Sequence, residues 1–129
     1  MKPGLRILDG QFAIHWLEPG AKVPACALNN EFCWTARTPD ELSLVCPDHF
    51  EVPATKTEPG WTCIRVEGPL EFELTGIIAG LSGTLADAGV SIFAISTFQT
   101  DYLLVKTTDM DDARVALTDN GYAFLAGHE

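Results

Sequence analysis

The sequence predicts an α+β fold in which two small units, residues 1–60 and 61–129, share one antiparallel sheet with helices on one face. Residues 61–129 show strand and helix patterns in the order β-α-β-β-α-β, and residues 1–60 follow that order more weakly. The polar stretch 53–60, with two prolines and a glycine, separates the two halves as a linker or long loop. A shared sheet is the simplest assembly, because two separate cores of about 60 residues would each be marginal.

The first unit is rich in strand patterns. Asp9-Gly10 is a two-residue hairpin signal, and residues 38–41 form a second turn signal. Residues 24–29 allow only a short helix, because prolines and a glycine interrupt the segment before it. We therefore expect a degenerate, strand-rich unit. Its predicted strands are residues 5–8, 12–17, 32–37 and 42–46.

The second unit has clearer elements, which predict a ferredoxin-like fold. Its first helix is indicated by a buried stripe that stops before Gly89: Leu74, Ile77, Ile78, Leu81, Leu85 and Ala88. A second helix opens at residues 108–112, where a hydroxyl or carboxylate can cap it, and ends at Asn120. The predicted strands are residues 61–66, 90–97, 102–106 and 122–125. Residues 90–97 are almost wholly apolar, so we expect that strand to be buried on both faces.

The net charge of −10 argues against partners that are themselves strongly negative. Nucleic acid and anionic membrane surfaces are bound through Lys and Arg, so neither is an expected partner. No run of the sequence approaches the roughly 18 apolar residues of a membrane span, and residues 1–10 lack the apolar stretch of a secretory signal. We therefore expect a cytoplasmic protein.

Cysteine and histidine spacing argues against a metal centre or an enzyme. The four cysteines contain no C-x-x-C pair, which favours buried reduced thiols over a disulfide framework or a zinc site. They are Cys26, Cys33, Cys46 and Cys63. Cys33 would be the candidate nucleophile, with His15 or His49 as its base. None of the three lies in a Gly-flanked elbow or another setting that would activate it. We expect no catalytic residue, no metal and no cofactor.

A first candidate binding site lies at the start of the first clear helix, in residues 72–78. Unpaired N–H groups and the positive end of the helix dipole there can bind a carboxylate or phosphate, and Gly76 would permit close approach. A packing role is the alternative. Gly76, Gly80 and Gly83 form one stripe that could simply press the helix against a sheet or a neighbouring subunit.

A second candidate site lies in residues 96–101, at the end of the apolar strand and in the turn after it. Asp101 could accept hydrogen bonds from the ammonium or guanidinium group of a ligand. The alternative is an aspartate that caps its own turn.

The segment VSIFAISTFQTDYLLV, residues 90–105, resembles the ACT domain, a small ligand-sensing regulatory module. Within that superfamily it is most similar to the ACT domains of the cytosolic arginine sensor CASTOR and of aspartate kinases. The resemblance covers residues 61–126 and includes Thr-Gly-Ile-Ile at 75–78 and Ile-Ser-Thr-Phe-x-x-Asp at 95–101. Residues 38–45 of the first half also resemble the family.

The resemblance implies a non-catalytic regulatory or sensor protein that binds a free amino acid or similar small metabolite at an interface between ACT units. The positions it implies for ligand contact are Phe72, Glu73, Thr75, Gly76, Ile77, Ile78, Thr97, Phe98 and Asp101. The sensor has four such domains in one chain and this chain at most two, so we expect a homodimer.

Two other functions stay open at this point. One is a protein-interaction or assembly module with a vestigial ligand pocket, and the other is a small enzyme that acts on an amino-acid derivative. A protein partner that would receive the signal is not identified by the sequence.

Overall fold

The computed structural model describes residues 2–68 and 75–126, and the chain divides into two compact units. One, the inserted unit, is Gly10–Trp61. The other, the discontinuous unit, combines Met1–Asp9 with Thr62–Glu129. The sequence assigned residues 1–9 to the first half, but they pair with the second half of the chain. The interpretation of the first half as a degenerate ACT-like unit stays a prediction.

The inserted unit contains three complete strands, one short helix and the beginning of a longer strand. In chain order these are β2 (Phe12–Leu17), α1 (Ala25–Leu28), β3 (Trp34–Arg37), β4 (Leu42–Pro47) and the start of β5 (Lys56–Val66). The strands lie in the order β3-β4-β2-β5, and all three pairs are antiparallel. Residues 48–55 connect β4 to β5 without a helix.

The predicted linker at 53–60 was wrong from Lys56 onwards, because β5 begins there and pairs with β2. Its register places Thr57 opposite His15 and Trp61 opposite Phe12, with an irregularity between. Pro59 and Gly60 fall at that irregularity. A bulge tolerates proline, which cannot donate to the ladder, and these residues therefore resembled a linker in the sequence.

The discontinuous unit is a mixed α+β, ferredoxin-like fold. Its elements are β1 (Gly4–Ile7), the end of β5, α2 (Ile77–Asp87), β6 (Ile92–Ser96), β7 (Asp101–Lys106), a 3-10 turn (Thr107–Asp109), α3 (Met110–Asp119) and β8 (Ala123–Phe124). From β5 onwards this is the predicted β-α-β-β-α-β order. The strands lie in the order β6-β7-β5-β1-β8.

Strand β1 makes the sheet of this unit differ from a wholly antiparallel one. It pairs antiparallel with β5, placing Leu5 opposite Val66, and parallel with β8, placing Leu5 opposite Phe124. The prediction of an antiparallel sheet was therefore wrong for the β1–β8 pair. Since parallel partners can be far apart in the chain, no local turn signal announces such a pair.

The core of the discontinuous unit lies between its sheet and the helices α2 and α3. Leu81 and Leu85 of α2 are fully buried there, which confirms the predicted helical stripe at those positions. Ala88, predicted to continue the stripe, is exposed beyond the last turn, and Leu74 lies outside the described residues. The remaining buried members of the cluster are Leu5, Ile64, Val66, Val90, Leu103, Val105, Ala113, Leu117 and Tyr122.

Strand β6 differs from the prediction of burial on both faces. Ala94 and Ser96 are exposed, and the apolar residues Ile92, Phe93 and Ile95 are only half-buried. Among the described strands its neighbour is β7, so it lies at the edge of the sheet. The apolar side chains of β6 are therefore only partly covered by the rest of the discontinuous unit.

The predicted side-chain cap of α3 was also wrong. Asp109 occupies the cap position but makes no capping hydrogen bond with its side chain, and the 3-10 turn precedes the helix. The acids of the first turn, Asp111 and Asp112, still complement the helix dipole there.

All four cysteines are free thiols. Cys46 and Cys63 are buried as predicted, whereas Cys26 and Cys33 are only half-buried. Within residues 2–68 and 75–126, no cluster of three or more His, Cys, Asp or Glu side chains is placed to hold a metal ion. None of the helices in that part of the chain is both long enough and apolar enough to cross a membrane.

Candidate functional site

Among the residues that the structure describes, 2–68 and 75–126, no side chain caps the start of α2. Gly76, at its N-cap, has a φ of 81° in the left-handed region, which glycine adopts without steric cost. The amides of the first turn have no acceptor within the helix, and glycine offers no side chain to cap them. A Cβ built on Gly76 would meet nothing within 4 Å. No described residue therefore blocks the approach of a carboxylate to these N–H groups.

The predicted ligand-binding residues beside Gly76 differ in burial and in packing. Thr75 and Gly76 are exposed, while Ile77 and Ile78 are half-buried and pack against the core cluster of the discontinuous unit. The two isoleucines thus anchor the beginning of the helix. Phe72 and Glu73, also predicted to contact a ligand, lie outside the described residues.

The glycine stripe on α2 is divided between packing and open surface. A Cβ on Gly80 would lie 2.8 Å from the Tyr122 hydroxyl oxygen, so close packing requires glycine there. A Cβ on Gly83 would meet nothing within 4 Å. The packing alternative therefore accounts for Gly80, whereas no described atom lies within 4 Å of a Cβ built on Gly76 or Gly83.

The second candidate site is the turn between β6 and β7, which Thr97 holds closed. The Thr97 N–H donates to the carbonyl of Thr100 at 2.9 Å, and the Thr97 hydroxyl donates to the same carbonyl at 3.1 Å. That hydroxyl also accepts a hydrogen bond from the Thr100 N–H at 3.4 Å. In these contacts Thr97 fills the turn-capping role that the alternative interpretation gave to Asp101.

Asp101 begins β7 opposite Ser96, the last residue of β6. Its carboxylate accepts a hydrogen bond from the Ser96 hydroxyl at 2.7 Å, and the residue is half-buried. Phe98, at the tip of the turn, is 80% exposed. The carboxylate and the aromatic ring thus stand at the same end of the hairpin.

A buried hydrogen bond fixes this turn to strand β5. The hydroxyl of Thr100, which is 3% exposed, donates to the Val66 carbonyl at 2.7 Å. Val66 is the last residue of β5, and the chain continues from it through residues 67–76 into α2. The turn is thereby tied to the strand end from which the chain leaves for the helix start.

The structure gives His15 a hydrogen-bond partner other than Cys33, for which it was the candidate base. His15 is 4% exposed on β2, and its Nδ1 lies 2.8 Å from the Thr57 hydroxyl oxygen. Its Nε2 is buried without a hydrogen-bond partner among the described residues, and burial lowers the pKa of the imidazole. The alternation of buried residues at 13, 15 and 17 is the signal that places His15 inside.

The chain matches models of known families over most of its length. A model described as ACT domain matches residues 56–119. A second model, which describes an N-terminal domain, matches residues 10–55. The boundary between the two matches falls beside the start of β5.

Among curated proteins, the human protein called cytosolic arginine sensor for mTORC1 subunit 1 is 46% identical over 46 residues. That match covers 35% of this chain and only 14% of the sensor.

Two solved structures resemble the chain over almost its whole length. A crystal structure of an Agrobacterium tumefaciens protein has a TM-score of 0.89 and 35% identity, covering 100% of this chain and 96% of that one. The regulatory subunit of aspartate kinase from Thermus thermophilus has a TM-score of 0.64 at 11% identity, covering 94% and 99%. At that identity the second likeness concerns the fold alone.

Proposed function

This chain belongs to the ACT domain family, and on that premise we propose that it is a non-catalytic regulatory protein that binds a free amino acid or a similar small metabolite. The observation that carries the proposal is the helix start at Gly76, where no described side chain caps the amides and no described atom lies within 4 Å of a built Cβ. An anionic group is the natural occupant of such a helix start, and every free amino acid has an α-carboxylate.

The second half of the proposed site is the β6–β7 turn. Asp101 supplies a half-buried carboxylate that would accept hydrogen bonds from an ammonium or guanidinium group. The Ser96 hydroxyl orients that carboxylate, and the Thr100–Val66 hydrogen bond holds the turn against β5. The ligand would then lie with its α-carboxylate at α2 and its cationic group at Asp101.

We further propose that the ligand is held between ACT units of two copies of this chain. Phe98 is too exposed to wall a pocket in one copy, and a second copy would cover it. The half-exposed apolar edge of β6 supports the same pairing, since an unpaired edge strand is a template for another chain. In a symmetric dimer such a site occurs twice.

Regulation would follow if the ligand binds one arrangement of the copies better than another. The ligand can shift that equilibrium only by its difference in affinity for the two states. The signal would then pass to a protein partner through the change in pairing.

A thermal-shift screen against the twenty amino acids tests the proposal. A ligand at about 100 times its dissociation constant adds about 2.7 kcal/mol to the free energy of unfolding. Arginine is the first candidate, because one relative is named as an arginine sensor and because Asp101 suits a guanidinium group. If no amino acid raises the melting temperature at millimolar concentration, the proposal fails.

The second candidate function is an assembly module with a vestigial pocket, which the exposed ring of Phe98 favours. It predicts a stable dimer whose melting temperature ignores all amino acids. Replacing Phe98 by Ser would then reduce the mass measured by light scattering to that of one chain, without any ligand dependence.

A further inference from the structure

Cys33 and Cys46 face each other across the β3–β4 hairpin of the inserted unit. The ladder ends with the pair Trp34–Val45, and extending its register by one residue sets Cys33, which immediately precedes β3, against Cys46. At the turn, the Thr38 N–H donates to the Glu41 carbonyl at 3.0 Å. Hydrogen-bonded and non-hydrogen-bonded pairs alternate from there, which makes Cys33–Cys46 a non-hydrogen-bonded pair.

This type of pair has the spacing that a disulfide requires. Cα atoms in non-hydrogen-bonded antiparallel pairs lie about 4.5 Å apart, and their side chains are closer than in the other type. Disulfides span Cα separations of about 4.4 to 6.8 Å. The Cys33 and Cys46 thiols already lie within hydrogen-bonding distance of each other. The two sulfurs could therefore bond with little movement of the backbone.

The two thiols differ in access and in acidity. Cys46 is fully buried beside Leu42 and Leu44, and burial together with the neighbouring Cys33 raises its pKa to about 12. Cys33 is half-buried, so oxidants can reach it. Burial raises the pKa of Cys33 as well, but the hydrogen bond from Cys46 partly offsets this by stabilising its thiolate. Cys33 is thus the sulfur that attacks, and Cys46 the one that resolves.

We propose that Cys33 and Cys46 form a reversible dithiol–disulfide pair, a modification site separate from the proposed ligand site, with a peroxide as oxidant. The Cys33 thiolate attacks one peroxide oxygen and breaks the O–O bond, which gives a sulfenic acid and a hydroxide that is protonated to water. The Cys46 sulfur then displaces hydroxide from the Cys33 sulfur, and its proton leaves in the second water. Two thiols and one hydrogen peroxide thus yield one disulfide and two waters, and the sulfurs lose two electrons.

The other two cysteines provide controls. Cys26 of α1 is half-buried and close enough to Cys33 to raise its pKa further, so it is the competing partner. Cys63 is buried on β5 in the discontinuous unit, where burial raises its pKa to about 12. Cys26→Ser and Cys63→Ser should both leave the proposed reaction intact.

The test treats the whole folded chain with hydrogen peroxide, blocks remaining thiols with an alkylating agent, and measures intact mass and disulfide-linked peptides. The wild type, Cys26→Ser and Cys63→Ser should each lose two hydrogen atoms and show a Cys33–Cys46 linkage that dithiothreitol reverses. Cys33→Ser and Cys46→Ser should not form that linkage. The reaction rate should rise with pH, because only the thiolate attacks.

The linkage map of the wild type decides the matter even if a variant fails to fold. A Cys26–Cys33 linkage would overturn the proposal. So would sulfinic acid at Cys33 without a bridge, or four thiols that remain free after exposure to peroxide.

Discussion

The Tyr122 hydroxyl lies against the backbone of helix α2 at Gly80, where an added Cβ would be 2.8 Å from the hydroxyl oxygen. Tyr122 follows α3 and is 5% exposed, so its ring has little room to move aside. Burial also raises the pKa of this hydroxyl. Gly80 therefore sets how closely α2 approaches the end of the chain that follows α3.

Gly80→Ala should lower the free energy of unfolding by about 1–3 kcal/mol, the usual cost of overpacking. Gly83→Ala is the matched control, because its Cβ would meet nothing within 4 Å. It should raise stability by about 0.5–1 kcal/mol through helix propensity. Urea denaturation measures both. Adding Tyr122→Phe to Gly80→Ala should recover part of the loss, and equal effects at the two glycines would contradict the packing.

Stability should fall as the pH drops through and below 6.5, the ordinary pKa of His15. Burial lowers the pKa of His15 in the folded chain, so the unfolded chain binds this proton first. Acid therefore favours unfolding. The stability that protonation of His15 removes is regained as the pH rises above 6.5. Urea midpoints measured from pH 7.5 down to about 5 follow this effect.

His15→Leu should flatten that part of the pH profile, while His49→Gln, at an exposed histidine, should retain the wild-type slope. A full slope in His15→Leu would assign the pH dependence to other groups.

Gly76→Ala should weaken amino-acid binding by about tenfold or more, since the methyl group would fill the space in front of the helix amides. Gly89→Ala is the matched control. Both glycines have positive φ, 81° and 75°, and neither Cβ would meet an atom within 4 Å. Both variants should therefore lose about 1–2 kcal/mol of stability through backbone strain.

Isothermal titration with the amino acid found in the screen separates strain from binding. Only Gly76→Ala should show the weaker affinity. The same loss in Gly89→Ala, which lies beyond the other end of α2, would place the ligand away from the helix start.

The elements of the discontinuous unit were predictable where a local pattern specifies them. The stripe that includes Leu81 and Leu85 has helical periodicity, and it identified α2. The exposure of β6 was not predictable, because an apolar run has the same pattern in a central strand and in an edge strand with a partly open face. The place of β1 depends on pairing with residues about sixty positions away, which no local signal carries.

For the candidate site, the sequence proposed ligand-binding positions, which stay predictions, but it did not predict the contacts that these residues make. Gly76 and Asp101 could be singled out because glycine at a helix start and a carboxylate at a turn have few structural uses. That Thr97 caps the turn, and that Thr100 ties it to Val66, depends on side-chain orientation and on the neighbouring strand. The hydrogen bond of His15 was not predicted, because a single histidine in a strand does not indicate its partner on the neighbouring strand β5.

Amino-acid binding through Asp101 is tested by comparing the affinity of wild type, Asp101→Asn and Asp87→Asn for the amino acid that responds in the screen. Asp87 is an exposed acid at the far end of α2, and its replacement by Asn removes the same charge as Asp101→Asn. Loss of a charged hydrogen bond costs about 1.5–3 kcal/mol, roughly tenfold to a hundredfold in affinity. We expect that loss in Asp101→Asn, near-wild-type affinity in Asp87→Asn, and unfolding free energies within about 1 kcal/mol of wild type in both. Equal affinity in Asp101→Asn and wild type, or no amino acid bound by the wild type, would contradict it.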